Sequence, residues 1–168
     1  MGILLKAFQG PAELYAHAIA IEHEASARYV ELGQRMLDLG NQQVGELFLR
    51  LAKLEIEHEE QLLRRAAGLK LPQLAPGEYA WLDAAVPETA AHELVLRLIT
   101  PNSALQIALA AERRAEEFFE AASTQVQDPS LAALAAEMAA EEREHMAWVE
   151  QVMARTPNSA IDWNQEFA

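Results

Sequence analysis

The chain has 168 residues, 51% of them apolar, with no cysteine and 26 acidic against 13 basic side chains, a formal net charge of −13. The absence of cysteine excludes disulfides, thiolate zinc sites, iron–sulfur clusters and cysteine nucleophiles. So acidic a surface repels a nucleic-acid backbone and draws in cations.

Alanine, leucine and glutamate dominate, and β-branched residues are few and scattered, which predicts an all-α domain. The opening MGILLKAFQGPAEL holds an apolar run too short for a signal peptide. Gly2 lacks the downstream Ser or Thr of a myristoylation signal, and no segment reaches transmembrane length. The expectation is a soluble cytoplasmic protein with neither a membrane nor a nucleic-acid partner.

Gly10-Pro11 predicts a first helix over about residues 11–39, closed by Gly40-Asn41, residues suited to the left-handed conformation at a helix end. A second helix is expected over 42–67, stopping at Gly68. The crossover 68–100 is broken by Pro72, Pro76, Gly77 and Pro87, with a short helix in its second half, over 88–99. Thr100-Pro101 opens a third helix over 101–126 and Asp128-Pro129 a fourth over 129–155, since proline suits the first helical turn. The tail 156–168 is irregular, and its Trp163 and Phe167, like the apolar crossover, are candidate contacts for the bundle or a partner chain. Two helical hairpins joined by one long connection describe a four-helix bundle in a single domain spanning 1–168.

The two hairpins repeat each other. Glu22 in the first helix and Glu112 in the third are each followed seven residues later by an aromatic, Tyr29 and Phe119. The second and fourth helices each contain Glu-x-x-His, as Glu55 with His58 and Glu142 with His145. Glu22 precedes Glu55 by 33 residues, and Glu112 precedes Glu142 by 30.

At about 100° per residue, each of these side chains falls on an apolar stripe. Glu22 shares its face with Ala18, Ala25, Tyr29 and Met36, and Glu55 and His58 share theirs with Phe48, Leu51 and Leu62. Leu105, Ala108, Ala115 and Phe119 flank Glu112, and Leu131, Ala135, Met138 and Val149 flank Glu142 and His145. Glu24, Glu57, Glu59, Glu60, Glu117 and Glu144 fall on or near the outer faces, where they read as surface charge and i,i+4 partners. His17, His23 and His92 lack the spacing of a ligand.

One Glu-x-x-His in an acidic helix reads as a solvated face; two, each preceded at matched distance by a glutamate on an apolar stripe, read as a metal site. Four buried carboxylates without partners lose hydration worth several kcal/mol each and repel one another. Two divalent cations neutralise them and take the two imidazoles as further ligands. Oxygen-rich donors with one imidazole per metal suit iron or manganese, with zinc as a further occupant. The Tyr29 hydroxyl needs a partner and is placed to bond a ligand carboxylate. Glu141, on the His145 side of its helix, has two readings: an acceptor orienting His58 across the bundle, or a partly exposed glutamate at the bundle edge.

Over about residues 12–153 this pattern resembles the ferritin-like superfamily and, within it, the rubrerythrin-type di-iron proteins. The resemblance implies two iron ions held by Glu22, Glu55, His58, Glu112, Glu142 and His145, with Glu55 and Glu142 bridging. It implies a rubrerythrin-like peroxidase or ferroxidase that reacts with dioxygen or hydrogen peroxide in iron handling or oxidative-stress defence, as a homodimer or larger homo-oligomer. Rubrerythrins proper carry a rubredoxin-like domain with CxxC pairs; with no cysteine here, a catalytic cycle takes its electrons from an external donor. They also carry a further glutamate one turn after the third-helix ligand, where this chain has Ala115, with Glu116 close by. Bacterioferritins place a haem-ligating methionine just after the second-helix glutamate; Ile56 stands there, so no haem is expected. Two other functions fit such a bundle: hydroxylation of an organic substrate, and a non-enzymatic interaction domain stabilised by metal.

Overall fold

Proline and capping side chains set the helix starts. A computed structural model describes residues 10–74 and 96–157. Four long helices run through them: α1 (Pro11–Asp38), α2 (Gln42–Arg65), α3 (Pro101–Gln125) and α4 (Pro129–Met153). Pro11, Pro101 and Pro129 occupy first-turn positions, where a missing N–H costs nothing. The Asn41 side chain accepts a hydrogen bond from the Val44 amide at 3.0 Å, and Thr100 Oγ1 accepts from Ser103 at 3.1 Å. Asp128 Oδ1 accepts from Ser130 and Leu131.

Each helix ends one or two residues before its expected boundary. The closing residues Leu39, Ala66, Val126 and Ala154 still donate to helix carbonyls but no longer continue the helix. Gly40, at φ 77°, takes the left-handed conformation that turns α1 into α2.

α1 packs chiefly on α2 and α3 chiefly on α4, and the hairpins meet along the α1–α3 and α2–α4 seams, as expected of a ferritin-like bundle. Gly33 and Gly45 allow the close approach within the first hairpin: a side chain on Gly45 would stand 2.6 Å from Leu37 and 3.1 Å from the Gly33 carbonyl. No strand occurs among the described residues, and no described helix is long and apolar enough to cross a membrane. Of the short helix expected over 88–99, residues 96–98 are helical, and Arg35 anchors them by donating to the Leu96 and Arg97 carbonyls at 2.8 Å. His92, Trp163 and Phe167 lie outside the described residues, as does most of the crossover.

The core is divided. One apolar cluster gathers Ile21, Leu62, Phe118, Phe119 and Met138. A second, nearer the α1–α2 turn, gathers Tyr29, Met36, Phe48, Leu51, Leu105 and Val149. In each helix, the residues between the two clusters are the predicted glutamates and histidines.

Candidate metal centre

Four helices each deliver a buried carboxylate to this dividing layer: Glu22 from α1, Glu55 from α2, Glu112 from α3 and Glu142 from α4, none more than 3% exposed. His145 is buried with them, and the His58 side chain is 14% exposed. The i,i+3 spacing sets each histidine on the face of its own glutamate. Potential ligand atoms fall into two groups, each within 4.8 Å: Glu22, Glu55 and His58, and Glu55, Glu112, Glu142 and His145. Glu55 belongs to both, which fits the bridging role the resemblance implies; Glu142 belongs to the second alone.

The detailed geometry suits a cation. His145 Nδ1 lies 3.1 Å from Glu55, 3.3 Å from Glu112 and 3.4 Å from Glu142. One ring nitrogen carries at most one proton and cannot donate to three carboxylates. His58 Nδ1 likewise lies 3.4 Å from both Glu22 and Glu55. Both oxygens of Glu22, both of Glu55 and Oε2 of Glu142 are buried without a well-aligned hydrogen-bond donor. Five such oxygens in one core are costly to leave unmatched, and divalent cations among the four carboxylates and two imidazoles would satisfy them. These residues fit a two-metal carboxylate centre.

Burial and mutual repulsion favour protons on part of the layer. Burial, reinforced by the adjacent Glu55 carboxylate, pushes Glu22 well above the usual carboxylate range, and burial beside Glu112 does the same to Glu142. Burial also pushes Glu55 up, but its close contacts with His145, His58 and Glu22 outweigh burial and hold the Glu55 carboxyl well below that range. Burial favours neutral His145, yet its contacts with Glu112, Glu142 and Glu55 prevail and keep it protonated well above the ordinary imidazole range.

Side chains around the layer fix its members. The Tyr29 hydroxyl donates to Glu112 Oε1, and its ring stacks on Phe48 at 5.8 Å. Burial, then the Glu112 charge, pushes the Tyr29 phenol well above its usual range, so it stays a donor. Glu141 combines the two readings made of it: its side chain is 39% exposed, and its carboxylate lies 3.3 Å from His58 Nε2, leaving Nδ1 turned inward. Glu116 is directed elsewhere. Its carboxylate lies 2.9 Å from the Arg143 guanidinium, which also pairs with Glu120 on the α3–α4 surface. The facing helix thus supplies the partner of this carboxylate, away from the buried layer.

Sequence reasoning passes over Trp148, whose ring lies 5.5 Å from that of His145 and under the Arg50 guanidinium at 4.3 Å. Its position three residues after His145 is the signal that marks it. His23 and His17 stand outside the layer, His23 beside Glu59 at 3.1 Å and His17 against Phe118. A recess of about 20 Å³ opens beside His58 between α2 and α4, lined by Gln61, Arg65, Glu137 and Glu141 among others. A larger groove of about 270 Å³ runs between α1 and residues 71–74 and is lined by none of the six.

Comparison with known proteins bears on this arrangement. The rubrerythrin family model matches residues 13–90 and 103–164. In a crystal structure, an uncharacterized conserved protein from Magnetospirillum magnetotacticum MS-1 is similar at 34% identity and a TM-score of 0.79, over 90% of this chain and 99% of that one. No curated protein matches the chain. With the family model covering most of the sequence, both Glu-x-x-His helices included, the chain belongs to the rubrerythrin family.

Proposed function

We propose that this chain is a di-iron carboxylate protein that reacts with dioxygen or hydrogen peroxide. The observation that carries the reading is the set of five buried carboxylate oxygens without aligned donors, converging with two imidazole nitrogens. Glu22 and His58 would hold one ion, Glu112, Glu142 and His145 the other, and Glu55 would reach both. Manganese or zinc suits the same donors; zinc has no redox chemistry, whereas ferrous iron, when bound, would supply electrons to an oxidant. The chain's own contribution is to position and to exclude. Tyr29 holds Glu112, Glu141 holds the outer nitrogen of His58, and the apolar clusters on either side keep bulk water out.

The recess beside His58 supports a small oxidant over an organic substrate. About 20 Å³ admits a molecule the size of water, and a hydroxylase would need room for its substrate beside the metals. Two chemistries remain alike in their first step, iron oxidation for iron handling and peroxide reduction. They differ in whether the oxidised metal leaves or is reduced again. Glu116 is engaged by Arg143 and does not replace the glutamate absent at Ala115, which favours a ferroxidase-like cycle over sustained peroxidase turnover.

Anaerobic addition of ferrous iron followed by air or peroxide tests the proposal. Oxidation saturating at about two irons per chain is expected. Iron that binds without being oxidised faster than free iron would sink it.

A further inference from the structure

The repeat that builds the metal layer is broken on its outer sides. At the interval that carries Glu55 to Glu142 and His58 to His145, Gln61 of α2 answers to Trp148 of α4, Arg50 to Glu137, and Leu54 to Glu141. Beside His145 these positions close the bundle. The Trp148 ring lies 5.5 Å from the imidazole, and the Arg50 guanidinium covers that ring at 4.3 Å. Beside His58 they leave the recess of about 20 Å³, with Gln61, Glu137 and Glu141 in its wall. Exposure follows the same division, 14% for the His58 side chain against 3% for His145.

Charge separates the two sides in the same sense. A cation approaching His145 meets the fixed charge of Arg50 over an apolar ring. In the wall of the recess, Glu137 and Glu141 stand against one guanidinium, that of Arg65. At its inner end, His58 Nδ1 lies 3.4 Å from Glu22, whose two carboxylate oxygens are buried without an aligned donor. The recess therefore leads from accessible carboxylates, past one imidazole, to unmatched ligand atoms.

We infer that the recess is the port through which divalent cations enter the bundle, with Glu137 and Glu141 collecting the ion at its mouth, and that both metal positions are filled from this side. Glu141 lies 3.3 Å from His58 Nε2. An ion reaching that carboxylate competes with the imidazole for it, which frees the ring standing before Glu22. The position around His145 lies beyond Glu55, the carboxylate common to both ligand groups, and is filled by way of the first. Resting on the two-metal reading above, this route separates rate from capacity: Gln61, Arg65 and Glu137 govern how fast the ions load, and the six ligands how many.

Uptake of cobalt by the metal-depleted full chain, timed by stopped flow with a metallochromic indicator for the free ion, tests this. Gln61→Trp, which copies the closed side, is expected to slow uptake about tenfold or more, and Glu137→Gln about threefold, an effect that shrinks as salt is raised. Arg65→Gln should speed uptake. Arg50→Gln should leave the rate unchanged, because the Trp148 ring still blocks that side. All four side chains are exposed, and a final uptake of about two ions per chain in each variant checks that the site is intact. Rates indifferent to Gln61→Trp and Glu137→Gln would overturn the inference while sparing the metal centre, as would Arg50→Gln acting as strongly as Arg65→Gln. A chain that takes up no cobalt would overturn both.

Discussion

Glu55 of α2 lies 3.1 Å from the His145 ring nitrogen of α4 and, on its other side, 3.4 Å from His58 on its own helix. One carboxylate therefore joins the two ligand groups. Glu55→Gln, which keeps the shape and removes the charge, is expected to lower metal binding from about two ions per chain to fewer than one. Glu22→Gln should weaken the Glu22–His58 position alone, leaving about one ion bound. Isothermal titration with an air-stable divalent ion such as cobalt checks both. Equal losses in the two variants would contradict the shared role of Glu55.

Tyr29 and Glu112 are bonded across 83 residues of sequence, in the buried middle of the bundle. Tyr29→Phe removes the donor and leaves a carboxylate oxygen in the core. The metal-free protein is expected to lose about 1–3 kcal/mol, the cost of a buried polar group deprived of its partner. Urea denaturation measures this. Metal-loaded protein should lose less, because a cation supplies the missing partner.

The layer was legible in the sequence because it breaks a rule twice. Glu22, Glu55, Glu112 and Glu142 sit at helical positions where their neighbours demand apolar side chains, and an interruption repeated at 33 and 30 residues is not a packing accident. The helix starts were legible for a local reason, since Pro11, Pro101 and Pro129 each suit only the first turn. What lies between helices was harder to read. Glu116 and Glu141 are both glutamates near the layer, and helix angle alone does not separate them. Arg143 on the facing helix captures the first, and His58 on another facing helix captures the second. Trp148 escaped for the same reason: its value lies in Arg50 and His145, which approach it only in the assembled bundle.

Glu141 offers a further test. Its carboxylate lies 3.3 Å from the outer nitrogen of His58. Glu141→Ala should leave the fold intact, being on a partly exposed position, and weaken metal at the Glu22–His58 position about 10- to 100-fold. The second position, built around His145, should be unaffected. A titration resolving two affinities would show one step moving and the other fixed.

The proton content of the layer predicts a pH dependence with a definite sign. Glu22, Glu142 and His145 hold their protons more tightly in the fold than in the unfolded chain. Each stabilises fully below its unfolded pKa, 4.5 for the carboxyls and 6.5 for the imidazole, and the contribution is lost as pH rises through the folded value. Glu55 acts oppositely, stabilising above 4.5 and losing that contribution as pH falls through its lowered value, so it is constant near neutrality. Metal-free protein should therefore melt at lower temperature at about pH 8 than at about pH 5.5. Metal binding displaces these protons, so affinity should rise over the same interval. Thermal melts with and without metal check both directions.

The central claim is that six residues from four helices hold two metal ions. Anaerobic ferrous titration of metal-depleted protein, followed by removal of unbound iron and elemental analysis, measures it most directly. The account predicts about two irons per chain for the unmodified protein and a collapse of that number in Glu55→Gln. Retention of no iron, or a stoichiometry unchanged by Glu55→Gln, would contradict it.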